Sequence, residues 1–475
     1  MSRWVLLAVA GCAPTVDPVA DTVTWHQDIA PLVVERCSGC HRAGGIGGFS
    51  LATWAEAAPY AEVMYAALVA GTMPPFLAQE TDECTPPLPW DHDLRLTPDE
   101  LDQFGRWVDA GTPEGDPATA APIEPPIPAV LDGANLVLGL PAPIVMEPSA
   151  PDLHSCLILD PELTADTYVL GRLITAGNDR ILHHVVSHLA LPGVNPDGSP
   201  QDKAQLEAAL RADVGAGIGE RYDCFGGPTF SAVATEMLDA WAPGGVPNLA
   251  PPGSGQYVPK DALVILDLHY HSSLEPETDA ATTLSLWVTE ERPDKLSQIV
   301  LLGNFDGRYD SEFGVGDLVR QPDEDAAKFL IPAGAAGHVE EMTWEWKLAP
   351  GFALSVYGAG THMHYVGRDE RVTLEHPTPV GDEPAEQCLV QTPAWDFNWQ
   401  RGYAYAGAYE DLPKMRDGDV IRVRCTYDNT TNNPFLRDAL LAQGLDAPID
   451  VGLGENTLDE MCLGAVSIVY PNYGR

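Results

Sequence analysis

The histidines of this chain are few, clustered and suited to metal chemistry. The sequence has 13 histidines among 475 residues. Three groups lie inside strand-like runs: His183 and His184 in RILHHVVSHL, His269 and His271 in LVILDLHYHS, and His362 and His364 in GAGTHMHYVG. Any one pair could be core or surface histidines, but three clusters together predict a metal, and imidazole suits Zn, Cu, Fe and Ni.

Strand geometry decides how these pairs could act together. The run 356–366 is predicted to be a strand, because it is rich in aromatic and β-branched residues and bounded by glycines. Alternate residues of a strand share a face, so His362 and His364 should project together and Met363 should face the other side. Adjacent His183 and His184 diverge on a regular strand, so a bulge or bend is required if both bind one ion.

A sulfur-bearing pair follows downstream, Met461-Cys462 in NTLDEMCLGAV. A thioether ligand suits Cu(I). Met461 is therefore a candidate copper ligand.

A second kind of chemistry is indicated near the N-terminus. Cys37-Ser-Gly-Cys40-His41 is a CxxCH motif, the attachment signature of c-type haem, with His41 in position to ligate the iron. The alternatives are a chance match and a dithiol redox motif. Met73, in Gly-Thr-Met-Pro-Pro, is the candidate second axial ligand, and the alternative is a merely buried methionine such as Met64. Met/His ligation would raise the iron potential and suit electron transfer.

The first residues, MSRWVLLAVAGCAP, predict export. Arg3 precedes the apolar run 4–10, which is too short to span a bilayer but suits a signal-peptide core. The residues around Cys12 resemble the lipobox of bacterial lipoproteins, so residues 1–12 are predicted to be a signal ending at a lipidated, membrane-anchoring Cys12. The alternative is an ordinary secretory signal. Either predicts a periplasmic or cell-surface protein in which disulfides persist.

Charge and size exclude some classes of function. The chain has 26 Lys+Arg against 69 Asp+Glu, a net charge of −43. Such a surface repels phosphate backbones, so nucleic acid is not expected as a partner. The length predicts two to four domains.

Residues 22–111 are predicted to be a small α-helical cytochrome c domain. Asp28 is expected to cap a helix that ends near Cys37. Thr97-Pro98-Asp99-Glu100 is a capping box before a second helix, which Gly111 should end. The Pro-rich segment 112–134 is predicted to be a stiff linker.

The rest of the chain is predicted to be mainly β. Short β-rich runs are separated by turn residues, as in ANLVLGL, LVILDLHYH, TTLSLWV, FALSVYGAG, VIRVRCTY and LGAVSIVY. This pattern indicates two β-sandwich domains, 135–292 and 293–475, interrupted by one helix at about 201–213.

The ordered motifs His-His, His-Tyr-His, Thr-His-x-His and Glu-Met-Cys resemble the copper type II ascorbate-dependent monooxygenases, typified by peptidylglycine α-hydroxylating and dopamine β-monooxygenases. The resemblance covers roughly 138–470. It implies two jelly-roll-like β-sandwich domains with one copper ion in each. It also implies O₂, a small-molecule substrate, and ascorbate or another redox donor as partners.

The resemblance assigns a role to each matched side chain. It implies that the electron-transferring copper is held by His183, His184 and His269, and the O₂-binding copper by His362, His364 and Met461. His188 and His271 match no ligand and are expected to support the ligands or the fold. The resemblance also implies two disulfides, Cys156–Cys224 and Cys425–Cys462, and leaves the state of Cys84 and Cys388 open.

Some positions depart from the family pattern. Gly360 stands where the peptide-amidating enzymes carry the basic residue that holds a peptide carboxylate. Leu463 and Ala465 replace their Asn and Tyr. The resemblance therefore implies a more apolar substrate pocket and disfavours peptidylglycine amidation.

The sequence thus predicts a copper monooxygenase that hydroxylates a C–H bond with O₂, using electrons supplied through the fused haem, ascorbate or both. Hydroxylation consumes two electrons, and a haem carries one at a time. Two alternatives stay open. One is an exported haem and copper protein without oxygenase activity. The other is a zinc hydrolase, against which Met461 and the haem motif both argue.

Overall fold

The computed structural model describes residues 22–121, 130–148, 150, 152–224, 227–228, 230–303, 308–310, 314–319, 328–454 and 458–474. The predicted signal peptide with Cys12 lies outside these residues, as does part of the predicted linker. Among the helices described, none is long and apolar enough to cross a membrane.

The protein is mainly β, with its strands in sandwich-like layers. It divides into two compact units. The described residues of the first unit are 22–42, 50–74 and 95–121, and those of the second are 43–49, 75–94 and the described positions from 130 onward.

The first unit is built from short helices. A π-helical turn, Trp25–Ile29, leads into the first of four α-helices: α1 Ala30–Arg36, α2 Trp54–Ala57, α3 Ala61–Val69 and α4 Pro98–Asp109. Short 3₁₀ turns cover Ala58–Tyr60 and Pro117–Thr119. The core of this unit centres on Trp25, Ile29, Phe104 and Trp107, all buried.

The predicted capping is confirmed at one helix and wrong at the other. Thr97 and Glu100 form a reciprocal capping box at the start of α4, and Gly111 follows its end with a positive φ of 79°. Asp28 does not cap α1, because the helical chain already begins at Trp25. Its carboxylate instead accepts a 2.7 Å hydrogen bond from the backbone N–H of Thr24.

The second unit contains the strands and two helices, α5 Lys203–Val214 and α6 Pro434–Ala442. The described strands before residue 303 are β1 Leu136–Gly139, β2 Ile144–Met146, β3 Leu153–Leu159, β4 Thr167–Thr175, β5 Leu182–Ala190, β6 Arg221–Asp223, β7 Thr235–Trp241, β8 Asn248–Leu249, β9 Ser254–Val258, β10 Leu263–Tyr270, β11 Glu277–Asp279, β12 Thr283–Thr289 and β13 Lys295–Leu302.

The described strands after that point are β14 Arg308–Asp310, β15 Gly314–Leu318, β16 Leu330–Ile331, β17 Ala336–Trp346, β18 Ala353–His362, β19 Gly367–Glu375, β20 Glu386–Thr392, β21 Gly402–Ala404, β22 Lys414–Arg416, β23 Val420–Asp428, β24 Val451–Gly452 and β25 Leu463–Pro471. All six runs predicted to be β-rich contain strands, and the helix predicted at 201–213 is α5.

Two sets of layers build this unit. In the first, β6, β3, β10, β5 and β7 are neighbours in one sheet, and β1, β12, β4 and β9 run side by side. Apolar side chains of β3, β4, β5, β10 and β12 share one core. In the second, β14, β15, β17, β23, β19 and β20 form a sheet whose side chains share another core with β18 and β25.

Strand β13 joins the two sets, because it pairs with β7 on one side and with β25 over its full length. Strand β25 also pairs with β18. Facing layers meet closely at Gly464 of β25, where an added Cβ would lie 2.7 Å from the Val423 side chain. The histidine clusters are therefore carried by β5, β10 and the end of β18, all strands of one continuous hydrogen-bonded sheet.

Candidate metal centres

Three histidine side chains converge on one point in the first set of layers. The Nδ1 atom of His183 lies 3.1 Å from Nδ1 of His184 and 3.1 Å from Nδ1 of His269, and the last two are 3.3 Å apart. Three ligands at about 2.0–2.1 Å from one tetrahedral ion stand roughly 3.3–3.4 Å from each other. The triangle has nearly those dimensions. We call it the His₃ centre.

Hydrogen bonding among the three rings cannot account for the triangle. A ring nitrogen has one in-plane direction, which holds either a proton or a lone pair. Three nitrogens that point at one another therefore cannot all be satisfied by each other. A shared metal ion satisfies all three lone pairs at once.

A β-bulge directs the side chains of His183 and His184 towards the same point. His184 pairs with His269 across β5 and β10, but the next residue of β10, Tyr270, pairs with Leu182. His183 is thus the extra residue of the bulge, and its side chain turns to the same side as that of His184. The bulge that the sequence required is present.

Burial keeps these rings neutral. It lowers the pKa of His183 to about 3, with smaller contributions from the proximity of His271 and His269. Burial also lowers the pKa of His184 well below the usual value. It lowers the pKa of His269 as well, although the hydrogen bond to Asp152 opposes this effect. Neutral imidazole is the form that binds metals.

An aspartate orients the third ring. Asp152 accepts from His269 through Nε2 at 3.2 Å and contacts Nδ1 of His271 at 2.7 Å. A carboxylate on the far nitrogen fixes the tautomer and leaves Nδ1 of His269 for a metal. Hydrogen bonds from His269 and His271 lower the pKa of Asp152, against the opposing effect of burial.

Histidines outside the triangle surround it. His271, expected to be a supporting residue, lies on Asp152, and His154 stacks on His269 with ring centroids 4.0 Å apart. His188 is farther along β5, opposite Ile265 of β10. Sequence reasoning missed Asp152 and His154, since no motif links them to a histidine more than a hundred positions away.

The second cluster is assembled differently. Nδ1 of His362 lies 2.8 Å from Oε1 of Gln400, and Nδ1 of His364 donates to the carbonyl of Asp459 at 3.0 Å. With each Nδ1 so occupied, Nε2 is the nitrogen through which either ring could bind a metal. The ring centroids are 5.3 Å apart. We call His362, His364 and Met461 the His₂Met centre.

The strand predicted over 356–366 is too long. Strand β18 ends at His362, and Met363 to Val366 form a loop and turn. The physical reason lies in Glu460, fully buried, whose carboxylate accepts from the backbone N–H groups of His364 and Val366 and so turns the chain. Met363 points away from the histidines into the core, as predicted.

Glu460 also fixes the backbone of Met461, the candidate sulfur ligand. Its Oε1 accepts from the N–H of Met461 at 2.9 Å, while the Met461 carbonyl accepts from the Tyr427 hydroxyl at 2.8 Å. The same Oε1 atom also accepts from the backbone N–H of His364. Glu460 therefore clamps the two ligand-bearing segments side by side.

Both centres open on one cavity of about 1090 Å³. Its lining includes His184 and His269 from the first centre and His362, His364 and Met461 from the second. Much of the remaining wall is apolar or aromatic, as at Trp241, Ile299, Phe397, Tyr403 and Leu463. Gly360 and Ala465 also lie on this wall, which leaves it without a bulky polar group at either position.

Residues 75–94, from the region predicted to bind haem, supply part of the wall. Phe76 lines the cavity and packs edge-on against Tyr403, with centroids 5.0 Å apart. Trp90 stacks on Tyr405 at 5.1 Å. The guanidinium of Arg401, also on the wall, lies over the Phe76 ring. No pattern in the sequence predicts this association.

A disulfide and ion pairs secure the same segment. Cys84 is bonded to Cys388 of β20, which resolves the state of both cysteines. The Glu83 carboxylate lies 2.7 Å from Arg424 and also faces Arg371. Contacts this far apart in sequence make 75–94 an integral part of the second unit.

Both predicted disulfides are confirmed. Cys156 is bonded to Cys224, and Cys425 is bonded to Cys462 beside Met461. Asp267 lies near the first pair, but disulfide sulfurs are not thiolate ligands. Disulfides of this number are typical of proteins that mature in an oxidising, exported environment.

The CxxCH motif lies at the end of α1 in the first unit. Cys37 caps that helix, and the N–H groups of Cys40 and His41 donate to the Cys37 carbonyl at 3.2 and 2.9 Å, so the motif forms one tight turn. Both cysteines are thiols rather than disulfide partners, which fits attachment to a porphyrin. Burial raises the pKa of Cys37 to about 12. Met73 follows α3 in an exposed loop.

Comparison with known proteins adds little. No family model matches this chain, and no curated protein matches it. An oxalate decarboxylase of Bacillus subtilis studied for its Mn(II) centres aligns over 64% of this chain and 80% of its own at 8% identity, with a TM-score of 0.12. The infectious bursal disease virus VP2 subviral particle aligns over 73% and 84% at 8% identity, also with a TM-score of 0.12. Such TM-scores are too low for either alignment to carry an argument.

Proposed function

We propose that this protein is an exported copper-dependent monooxygenase that hydroxylates a C–H bond of a small organic substrate with O₂. One observation carries the proposal. Two metal-ligand sets of different chemistry, the His₃ centre and the His₂Met centre, open on a single large cavity. A zinc hydrolase would have no use for a thioether ligand, whereas a reductive oxygenase would.

The two sets suit different tasks. An all-imidazole site can hold either Cu(I) or Cu(II), whereas a site with a thioether favours Cu(I), the state that reacts with O₂. When bound, the two copper ions would supply the two electrons that hydroxylation consumes. In this proposal the His₃ centre stores one electron, and the His₂Met centre is the place of O₂ activation.

The residues of the chain orient these groups and keep water away. Asp152 holds His269 in the tautomer that presents Nδ1, and Gln400 and the Asp459 carbonyl hold His362 and His364 in the tautomers that present Nε2. The apolar wall suits a substrate without a strong negative charge. In the absence of a basic side chain at Gly360, we do not propose peptidylglycine amidation.

The finer architecture belongs to the same proposal. We assign 135–292 and 293–475 to two jelly-roll-like domains, one for each centre, and 22–111 to a cytochrome c-like domain, of which residues 43–49 and 75–94 belong to the second unit. There Cys37 and Cys40 would hold the haem covalently, with His41 and Met73 as axial ligands. Haem or ascorbate would deliver the reducing electrons. We further propose a periplasmic or cell-surface protein anchored through lipidated Cys12.

The test is O₂ consumption by the copper-loaded protein with ascorbate and a panel of small aromatic and aliphatic compounds. The expected result is a substrate-dependent rate and products heavier by one oxygen atom, labelled when ¹⁸O₂ is used. If two copper ions bind but no compound of the panel is oxygenated, the alternative becomes the better account. That alternative is a haem and copper electron-transfer or copper-binding protein without oxygenase activity.

A further inference from the structure

One short segment contacts both candidate centres. Residues 395–400, Trp-Asp-Phe-Asn-Trp-Gln, connect β20 to β21, and we call them the bridge segment. Asp396 caps its 3₁₀ turn by accepting from the backbone N–H and the side-chain amide of Asn398 at 2.9 and 2.8 Å. The bridge segment thus has a fixed local conformation.

Its two ends hold the His₂Met centre. The indole N–H of Trp395 donates to the backbone carbonyl of His364 at 3.1 Å. At the other end, the Gln400 side chain contacts His362 through Oε1 and donates through Nε2 to the carbonyl of Phe397. The segment therefore orients one histidine ring directly and fixes the backbone that carries the other.

Its middle reaches the His₃ centre. The Phe397 ring lies nearly parallel to that of His183, with centroids 6.1 Å apart and an interplanar angle of 24°. The ring also stands edge-on to His184 at 6.4 Å. On its other side it contacts His364 at 5.9 Å and Tyr365 at 4.6 Å. One aromatic ring thus packs against ligand rings of both centres.

These contacts limit how far apart the centres lie. The His183 and His364 rings can be separated by no more than their two distances to Phe397 taken together, about 12 Å. The intervening ring is 9% exposed and also lines the cavity on which both centres open. It therefore provides a path of packed aromatic atoms between the centres beside the open space of the cavity. Packed cores favour discrete arrangements over continuous deformation.

We propose that the bridge segment, through Phe397, fixes the two centres at one short separation and provides the route by which an electron passes from the His₃ centre to the His₂Met centre. Phe397 is in this view a positioning residue. The electron route in this inference rests on the proposed function. The fixed separation of the two centres does not. The step would balance, because the copper ion held by the His₃ centre would lose one electron, from Cu(I) to Cu(II), and the His₂Met centre would gain that electron.

The experiment compares the full chain with Phe397→Ala and Phe397→Leu variants, each loaded with Cu(II). The matched control is Phe352→Leu, because Phe352 packs against Tyr470 and Tyr473, outside the lining of the cavity. The dipolar interaction between the two Cu(II) ions, measured by EPR, reports their separation without turnover. Stopped-flow mixing of the reduced protein with O₂ reports electron transfer.

We expect a strong dipolar interaction with one narrow distance in the wild type and in Phe352→Leu. In Phe397→Ala it should weaken or spread. Transfer between the sites should be slower than in Phe352→Leu, because the aromatic path between them is lost. The leucine variant, which keeps apolar bulk without the ring, should lie between. All variants should bind the same amount of copper.

Unchanged dipolar spectra and transfer rates in Phe397→Ala would overturn the inference and leave the proposed function standing. A weak, broad interaction already in the wild type would also overturn it. A third outcome separates the two proposals. If the dipolar interaction is strong in the wild type and lost in Phe397→Ala, but the protein oxygenates no compound, the role of the bridge segment is supported and the proposed function is contradicted. Failure to bind two metal ions would contradict both.

Discussion

The two candidate centres solve the problem of holding a metal in opposite ways. The His₃ centre takes its ligands from two adjacent strands, β5 and β10, and one bulge at His183 completes it. The His₂Met centre takes His362 from a strand end and its other two members from loops. In the first, the sheet itself positions the ligands. In the second, Glu460, Gln400 and the bridge segment do so.

This difference fits a division of labour. A centre built into a sheet changes little when it gains or loses an electron. A centre built from loops around a cavity can admit O₂ and substrate. The comparison predicts that the His₃ centre depends mainly on its own ligands, whereas the His₂Met centre also depends on the residues that hold its loops.

The largest expected effect is loss of a whole centre. His183→Ala should remove one copper ion per chain and abolish oxygenation, because two imidazoles of an opened triangle bind far more weakly than three. His364→Ala should likewise remove one copper, from the other centre. Metal analysis after dialysis measures both. His188→Asn, a substitution at a half-buried histidine of the same strand, is the control and should keep both ions. Loss of copper in that control would contradict the ligand assignment.

The next effect concerns the clamp of the loop-built centre. Glu460→Gln replaces one carboxylate oxygen by an amide that cannot accept, so at least one buried N–H of His364, Val366 or Met461 loses its partner. The free energy of unfolding should fall by about 1–3 kcal/mol. Copper affinity should fall at the His₂Met centre and stay unchanged at the His₃ centre. Denaturant titration and site-resolved copper titration test this. Equal weakening of both centres would refute the difference drawn between them.

A smaller effect is expected at the sheet-built centre. Asp152→Asn keeps the size of the side chain but removes the charge that orients His269. Copper affinity of the His₃ centre should fall about 10–100-fold, as for other residues that hydrogen-bond a ligand histidine. Competition with a chelator of known affinity measures it. An unchanged copper affinity would mean that strands β5 and β10 orient the His269 ring without help from Asp152.

Acid should destabilise the metal-free protein through the same buried rings. The pKa of His183 and that of His154 are each lowered to about 3 from the ordinary 6.5, first by burial and then by neighbouring histidines. Between those values the unfolded chain binds protons that the folded chain does not, so the free energy of unfolding should decline as pH falls through this window. Urea titrations at pH 7 and pH 5 check the sign. Greater stability at pH 5 would contradict it.

The smallest effect on the metal centres is expected in the docked segment 75–94. Replacing Cys84 and Cys388 together by serine should lower the free energy of unfolding by roughly 2–5 kcal/mol, the usual cost of losing a native disulfide. Because Phe76 and Trp90 still pack on Tyr403 and Tyr405, the copper content should not change. Thermal unfolding and metal analysis measure the two. Loss of copper here would show that the segment supports the centres as well as the wall.

Residue types and spacing predicted much of this arrangement. The histidine pairs and the bulge at His183 follow from local patterns, because each depends on neighbours in sequence. The two confirmed disulfides were expected only from the family resemblance. Asp152, Gln400 and Phe397 were not foreseeable, because they meet their partners only through the fold. The same holds for the early end of β18, where a distant carboxylate, Glu460, overrides the strand propensity of Tyr365 and Val366.

The most direct measurement of the central claim is the metal content of the mature protein together with its Cu(II) EPR spectrum. The account predicts two copper ions and one iron per chain, with two distinct Cu(II) signals, one lost in His183→Ala and the other in His364→Ala. A protein that binds zinc in both centres, or one copper signal that neither substitution removes, would contradict it.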